Sequence, residues 1–244
     1  MKCLIVAAGK GRRLQKKGDS KPLIPLCGTA LIERAINQAQ QAGIGEFYVV
    51  TGHQHQQVEK FLSALAKRIG VLITAIFNPD WQHTENGVSV LCAKSYLRES
   101  FLLLMSDHVF DASIASDLMR EAIPEGGIIL AVDRATDNPL IDKNDVTRVK
   151  TKHGNICAIG KNLADFDCFD TGIFLAGPAL FEALEKNCAG VAGSGLSAGI
   201  QRLAAREKAA TFDINGRFWI DVDDPVSFWR AENALLKHCH PDVE

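Results

Sequence analysis

The chain has 244 residues, 47% of them hydrophobic and 23% charged, with a net charge of −2; that is enough apolar content to bury a substantial core, which excludes disorder, and too even a charge for a broad nucleic-acid-binding surface. Seven cysteines (Cys3, Cys27, Cys92, Cys157, Cys168, Cys188 and Cys239) are odd in number and never spaced as C-x-x-C. This suits a reduced protein better than a disulfide framework or a zinc site.

The first element is an apolar run at 3–7, which predicts a buried strand. It passes into Ala8-Gly9-Lys10-Gly11-Arg12-Arg13-Leu14 and then Lys21-Pro22-Leu23. Gly9 and Gly11 let backbone N–H groups approach an anion, while Lys10, Arg12, Arg13 and Lys21 add positive charge from one short segment. The loop is therefore read as a polyphosphate site and not as a merely solvated basic turn. It is neither of two common phosphate loops. A dinucleotide fingerprint needs a third glycine where Leu14 stands, and the triphosphate P-loop needs another glycine spacing and a Ser or Thr after Lys10.

Further along, Leu31, Ala35, Ile36 and Ala39, then Val58, Phe61, Leu62 and Leu65, fall at three- and four-residue spacing and predict helices over 30–42 and 54–69. Between and after them, runs at 47–51, 72–77, 101–105 and 128–132 are apolar on consecutive positions, as in strands covered on both faces. This alternation predicts an α/β fold with a mostly parallel, doubly wound mixed sheet whose ligands sit at the carboxyl ends of strands. Beyond 133 the pattern predicts a hairpin, 146–152 and 156–159, around His153-Gly154-Asn155, and a strand at 168–176. Helices follow at 178–186 and 196–206, strands at 209–214 and 219–222, and a last helix opened by Pro225. No secretory h-region and no apolar run of membrane-spanning length occurs, so a cytoplasmic protein without a membrane span is expected.

The segment Ala7-Ala8-Gly9-x-Gly11-x-Arg13-Leu14, followed by Lys21-Pro22-Leu23, resembles the N-terminal signature of the sugar-phosphate nucleotidyltransferase family. Asn86-Gly87-Val88-Ser89-Val90-Leu91, Met105-Ser106-Asp107-His108-Val109, Ile159-Gly160-Lys161 and Asp170-Thr171-Gly172-Ile173-Phe174 look most like CTP:inositol-1-phosphate cytidylyltransferases. The resemblance implies one Rossmann-like domain, with 1–133 mainly nucleotide-binding and 134–244 supplying mainly the acceptor site and a second metal carboxylate. It implies a Mg²⁺-dependent transfer of CMP from CTP to a small phosphorylated alcohol, inositol 1-phosphate first among them, giving a CDP-alcohol and pyrophosphate. A hexose 1-phosphate, phosphocholine or aminoethylphosphonate acceptor is the alternative. A non-catalytic nucleotide-binding regulatory protein is the rival from another class, against which the paired carboxylates argue. Relatives that fuse a membrane transferase are longer, so the product is expected to pass to a separate enzyme; an oligomer is left open.

Two polyanions must meet in such a reaction, and two like charges about 4 Å apart repel by roughly 4 kcal/mol at an effective dielectric near 20. Cations are needed more than a base, because the attacking phosphate is already ionised. Asp107 follows the run at 101–105, which puts its carboxylate at a strand end; it matches the family's first metal-binding aspartate, the competing reading being a cap on the next helix. Trp219-Ile220-Asp221-Val222-Asp223-Asp224-Pro225 resembles the second metal segment, with Asp221 preferred over Asp223 and Asp224 read as the cap of the last helix. Lys21 matches the family's α-phosphate lysine and Arg13 the arginine that grips the β- and γ-phosphates, with the backbone of Ala7, Ala8, Gly9 and Gly11 beneath them; Lys10 and Arg12 are auxiliary. Asn86, Gly87 and Ser89 are the expected nucleoside contacts, Asn86-Gly87 allowing close approach to a flat base, unless the segment is simply an Asn/Gly helix start. Lys161 resembles a position that meets the acceptor phosphate, and Asp170, Thr171 and Gly172 one that contacts acceptor hydroxyls; a surface lysine and a strand-initiating aspartate are the competing readings. His108 has no forced role, Trp81 is either lid or core, and His53 and His55 are read as solvated.

Overall fold

The computed structural model describes residues 1–188 and 193–239, those at 188, 238 and 239 by their backbone alone. The strands are β1 (Lys2–Ala7), β2 (Pro25–Leu26), β3 (Thr29–Ala30), β4 (Glu46–Thr51), β5 (Leu72–Phe77), β6 (Phe101–Met105), β7 (His108–Phe110), β8 (Ile128–Asp133), β9 (Arg148–Lys152), β10 (Asn155–Gly160), β11 (Cys168–Ala176), β12 (Ala209–Asp213) and β13 (Trp219–Asp221). The helices are α1 (Leu31–Gln41), α2 (His55–Ile69), α3 (Asn86–Leu91), α4 (Ala112–Leu118), α5 (Ala179–Cys188), α6 (Leu196–Ala204) and α7 (Pro225–Cys239).

Nine strands form one sheet in the order β5-β4-β1-β6-β11-β8-β12-β10-β9. β5, β4, β1 and β6 run parallel, β11 is antiparallel to both β6 and β8, and β12 is parallel to β8. With β10 reversed between β12 and β9, seven of the nine strands point one way. The sheet is wound on both sides because its strands alternate their apolar residues. Cys3, Ile5 and Ala7 of β1 pack with α1, α2 and α4, while Leu4 and Val6 pack with α3, α5 and α6. β5 departs from the expected two-sided cover. It is the edge strand, with no further strand paired to it among the described residues; Ile73 and Ile76 pack against the cores while Leu72 is 69% exposed.

From β1 the chain first builds outward through β4 to β5 and then returns to add β6 on the other side of β1. The loops after β1 and β6 therefore part at a topological switch, where an open α/β sheet has its crevice. A second ribbon, β7 antiparallel to β13, stands over that crevice and registers His108 against Asp221. A third core of Leu14, Ile24, Leu26, Val109, Ile220, Val222 and Phe228 fastens the basic loop and α7 to this ribbon. Leu14 is fully buried there; full burial of such a side chain contributes roughly 1.5–3 kcal/mol, which ties Arg13 to a fixed place. Among the described residues, no helix is long and apolar enough to cross a membrane.

Candidate active site

The crevice opens into a cleft with about 820 Å³ of empty space, lined by His108, Asp145, Lys161, Asp170, Asp221 and Asp223 among others. From the lining residues Asp223, Asp145 and Lys161 a continuous chain of alternating charge runs to Arg13, Lys21 and Asp107. Lys21 Nζ donates to both Asp107 Oδ2 and Asp223 Oδ1. Arg13 bonds Asp223 Oδ2 at 2.8 Å through Nη2 and Asp145 Oδ2 at 2.6 Å through Nη1, and Lys161 Nζ closes on the other oxygen of Asp145.

Each member is placed by local structure. Gly11 takes φ +62°, and a Cβ there would stand 2.4 Å from the Lys21 side chain, so the glycine makes room for the lysine stem. Ser227 Oγ accepts from the backbone of Asp223 and Asp224, while Asp224 Oδ1 accepts from Val226 and Ser227 at 2.8 Å and caps α7 as expected. Asp111 caps α4, which leaves Asp107 without that duty. Asp107 instead accepts from His108 Nδ1 at 2.9 Å.

Donor atoms of Asp107, His108 and Asp221 lie within 4.8 Å of one another. Asp221 Oδ1 is buried and lacks a hydrogen-bond partner, an arrangement that costs free energy unless a cation or a proton occupies the site. Two converging carboxylates with an unpaired oxygen suit a hard divalent cation, so these residues fit Mg²⁺. The electrostatics agree. Burial, joined by the charges of Asp107 and Asp223, pushes Asp221 up to about 7 against the pull of His108. Burial opposes charge on His108, yet Asp221, the Asp107 hydrogen bond and Asp170 lift it to about 9. Burial would also raise Asp107, but Lys21 and His108 hold it far below the carboxylate range. Cation affinity should therefore rise steeply, by up to about tenfold per pH unit, below pH 7 as Asp221 sheds its proton, and more gradually above it as His108 loses its charge. Calorimetric titration with Mn²⁺ from pH 5.5 to 8.5 checks this, and a flat profile would remove Asp221 from the cation site.

The structure treats the other expected residues unequally. Arg13, Lys21, Asp107, Asp221 and Asp223 come together, and Lys161, Asp170 and Gly172 line the same cleft. Burial lifts Asp170 to about 6, against the Gly172 N–H that it accepts at 2.8 Å. Ala7 and Ala8 are buried, with the Ala8 carbonyl taken by His53 N; Gly9 is open. Several expectations need correction. Thr171 is fully buried, and its hydroxyl donates to the Ala131 carbonyl at 2.8 Å, so it faces the core and not an acceptor. Ser89 is 3% exposed and accepts from Asn78 Nδ2 at 3.1 Å. The space that Gly87 leaves is filled by the Ser194 carbonyl, 2.3 Å from where a Cβ would stand, so a neighbouring loop and not a base exploits it. Asn86 does border the cleft, but its Oδ1 accepts from Leu196 N at 2.9 Å. His53 and His55 are not simply solvated: they pack on Trp81 and Phe77, with ring centroids 5.2 and 4.2 Å apart. Asp145 was not foreseen, since it lies in a loop without periodicity; the density of Asp133, Asp137, Asp142 and Asp145 was the available signal.

Residues 3–209 match the family of the MobA-like NTP transferase domain. The chain belongs to that family. A Rubrobacter xylanophilus protein named "Bifunctional IPC transferase and DIPP synthase" is 33% identical over 95% of this chain and 51% of its own length, and an Aquifex aeolicus protein of the same name is 32% identical over 96% and 51%. The chain thus spans about half the length of these curated relatives. Among solved structures, the inositol-1-phosphate CTP transferase from T. maritima superposes with a TM-score of 0.83 at 21% identity, covering 97% of this chain and 96% of that one. A Bacillus anthracis structure titled a putative glucose-1-phosphate thymidylyltransferase gives 0.80 at 18% identity, covering all of this chain and 96% of that one. At such identities the likeness establishes the fold alone, which is Rossmann-like.

Proposed function

We propose that the chain is a Mg²⁺-dependent cytidylyltransferase that transfers CMP from CTP to inositol 1-phosphate, releasing pyrophosphate. The observation that carries the reading is Lys21 bound between Asp107 and Asp223 with Asp221 beside them, a cation and carboxylate cluster at the switch point of the sheet. The substrates come from the names of the similar proteins, above all an inositol-1-phosphate CTP transferase.

Asp107 and Asp221 would hold the ion, which when bound draws charge from phosphate oxygens. Lys21 steadies the charge that builds on the α-phosphate as an acceptor phosphate oxygen bonds to it and the bond to pyrophosphate breaks. Arg13 grips the departing β- and γ-phosphates, for which its fork is suited. Lys161 meets the acceptor phosphate, and Asp170, a carboxylate lining the same cleft, accepts from acceptor hydroxyls. In this reading residues 1–133 serve mainly the nucleotide and 134–244 mainly the acceptor and the second carboxylate. We place the reaction in the cytoplasm, consistent with free thiols at Cys3, Cys27, Cys92, Cys157 and Cys168, and assign the product to a membrane transferase as its next user.

Pyrophosphate release measured over a panel of nucleotides and acceptors tests the reading. CTP with inositol 1-phosphate should turn over fastest and only with a divalent ion. A preference for UTP, dTTP or GTP with a hexose 1-phosphate would overturn the substrates. A phosphonate acceptor is the second reading, favoured by a "CMP-5'-(3-aminopropyl)phosphonate synthase" of Streptomyces rubellomurinus, 29% identical over 54% of this chain and 20% of that protein.

A further inference from the structure

We propose that His108 is a positioning residue for Asp107, its ring held in a slot built by Trp219, Asp133 and Gly172; the inference rests on reading Asp107 as a ligand of the divalent ion. The His108 ring lies nearly parallel to the indole of Trp219, at 14° and 6.3 Å between centroids, an offset stack. Trp219 is a fixed wall. It is 1% exposed, and its Nε1–H donates to Asp133 Oδ2 at 2.8 Å. Asp133 is equally buried and is itself pinned, accepting from Asn138 Nδ2 at 3.1 Å and from Ala135 N at 2.9 Å.

Gly172 supplies a second boundary. It sits where β11 loses register with β8, at φ +72°, and a Cβ there would stand 2.6 Å from Cδ2 and Nε2 of His108. No other residue would fit without moving the ring. The backbone of His108 is held as well, by its pairing with Asp221 across the β7–β13 ribbon. A ring so confined presents Nδ1 to Asp107 Oδ1 at 2.9 Å and leaves Oδ2 for cationic partners, Lys21 among them. Such outer contacts commonly change metal affinity 10- to 100-fold. Buried packing alone would predict lost stability with unchanged affinity for the ion.

The test measures Mn²⁺ binding by calorimetry, without substrate, on wild type, Gly172→Ala, Trp219→Leu and Trp219→Phe, each checked for a cooperative melt. Gly172→Ala, which crowds the ring, and Trp219→Leu, which removes the stack, should weaken Mn²⁺ about tenfold or more. Trp219→Phe keeps a stacking ring and should weaken it less. At saturating Mn²⁺, kcat should fall in the first two while KM for CTP moves little. If none of the variants folds, ¹⁵N-histidine spectra of the wild-type protein decide, and a proton held on His108 Nδ1 in slow exchange is expected. Folded variants that bind Mn²⁺ as wild type does, or a wild-type His108 without a proton on Nδ1, overturn the inference. A wild-type protein that binds no Mn²⁺ overturns the metal reading itself and this inference with it.

Discussion

Replacing Asp107 by alanine should abolish pyrophosphate release from CTP and inositol 1-phosphate, by roughly 10³-fold or more, while the protein still melts cooperatively. The side chain serves the cleft and little else. Its backbone carbonyl, which accepts from Val222 N at 3.0 Å, is untouched by the substitution, and Asp111 still caps α4. What is lost is one of two anionic partners of Lys21 and the acceptor for His108. Circular dichroism and a thermal melt, run beside the assay, separate a lost site from a lost fold. Normal turnover in a folded variant would take Asp107 out of the chemistry and leave Asp221 without a partner to share a cation.

Lys21→Ala should show a different signature, because this lysine neutralises carboxylates before it meets any phosphate. Its side chain is 8% exposed and lies between Asp107 and Asp223. Burial opposes its charge, but Asp107, Asp223 and Asp221 hold its pKa above the lysine range. Removing one partner of a buried ion pair costs about 3–5 kcal/mol, since the other charge stays behind. The variant should therefore melt well below wild type in chelator and regain part of that loss when Mg²⁺ is added, as a second cation takes over the neutralisation. Its kcat should fall much further than its KM for CTP rises, the pattern of an interaction made in the transition state. A variant with normal kcat and a raised KM would reduce Lys21 to an affinity residue, and a melt indifferent to Mg²⁺ would break the proposed exchange of cations.

The two substitutions act through residues that differ in how far local sequence announced them. Leu4 and Ile5, like Leu103 and Leu104, are apolar at successive positions and could be read directly as strands packed on both faces. Ala35, Ile36 and Ala39 could likewise be read as one stripe of a helix. Such patterns are local because hydrophobic burial repeats with the period of the backbone itself. Asp107 was legible for the same reason, since a carboxylate after five apolar residues falls at a strand end. The exposed face of β5 was not. Its residues, 72–77, are as apolar as those of β4, and only its place at the sheet edge decides that Ile73 and Ile76 alone pack against the cores while the others stay exposed.

Chemistry-bearing residue types, strand ends and the cationic turn were written in the order of amino acids, because charge and backbone freedom belong to individual residues. Partnership was not, because it depends on long-range pairing. The β7–β13 ribbon registers His108 with Asp221, Asp145 reaches Arg13 and Lys161 from a loop with no pattern, and Thr171 and Ser89 turn inward to buried partners at Ala131 and Asn78. A buried polar atom must find a hydrogen bond wherever the folded chain offers one, so the three-dimensional neighbourhood, and not the motif, chooses between a ligand contact and a packing contact.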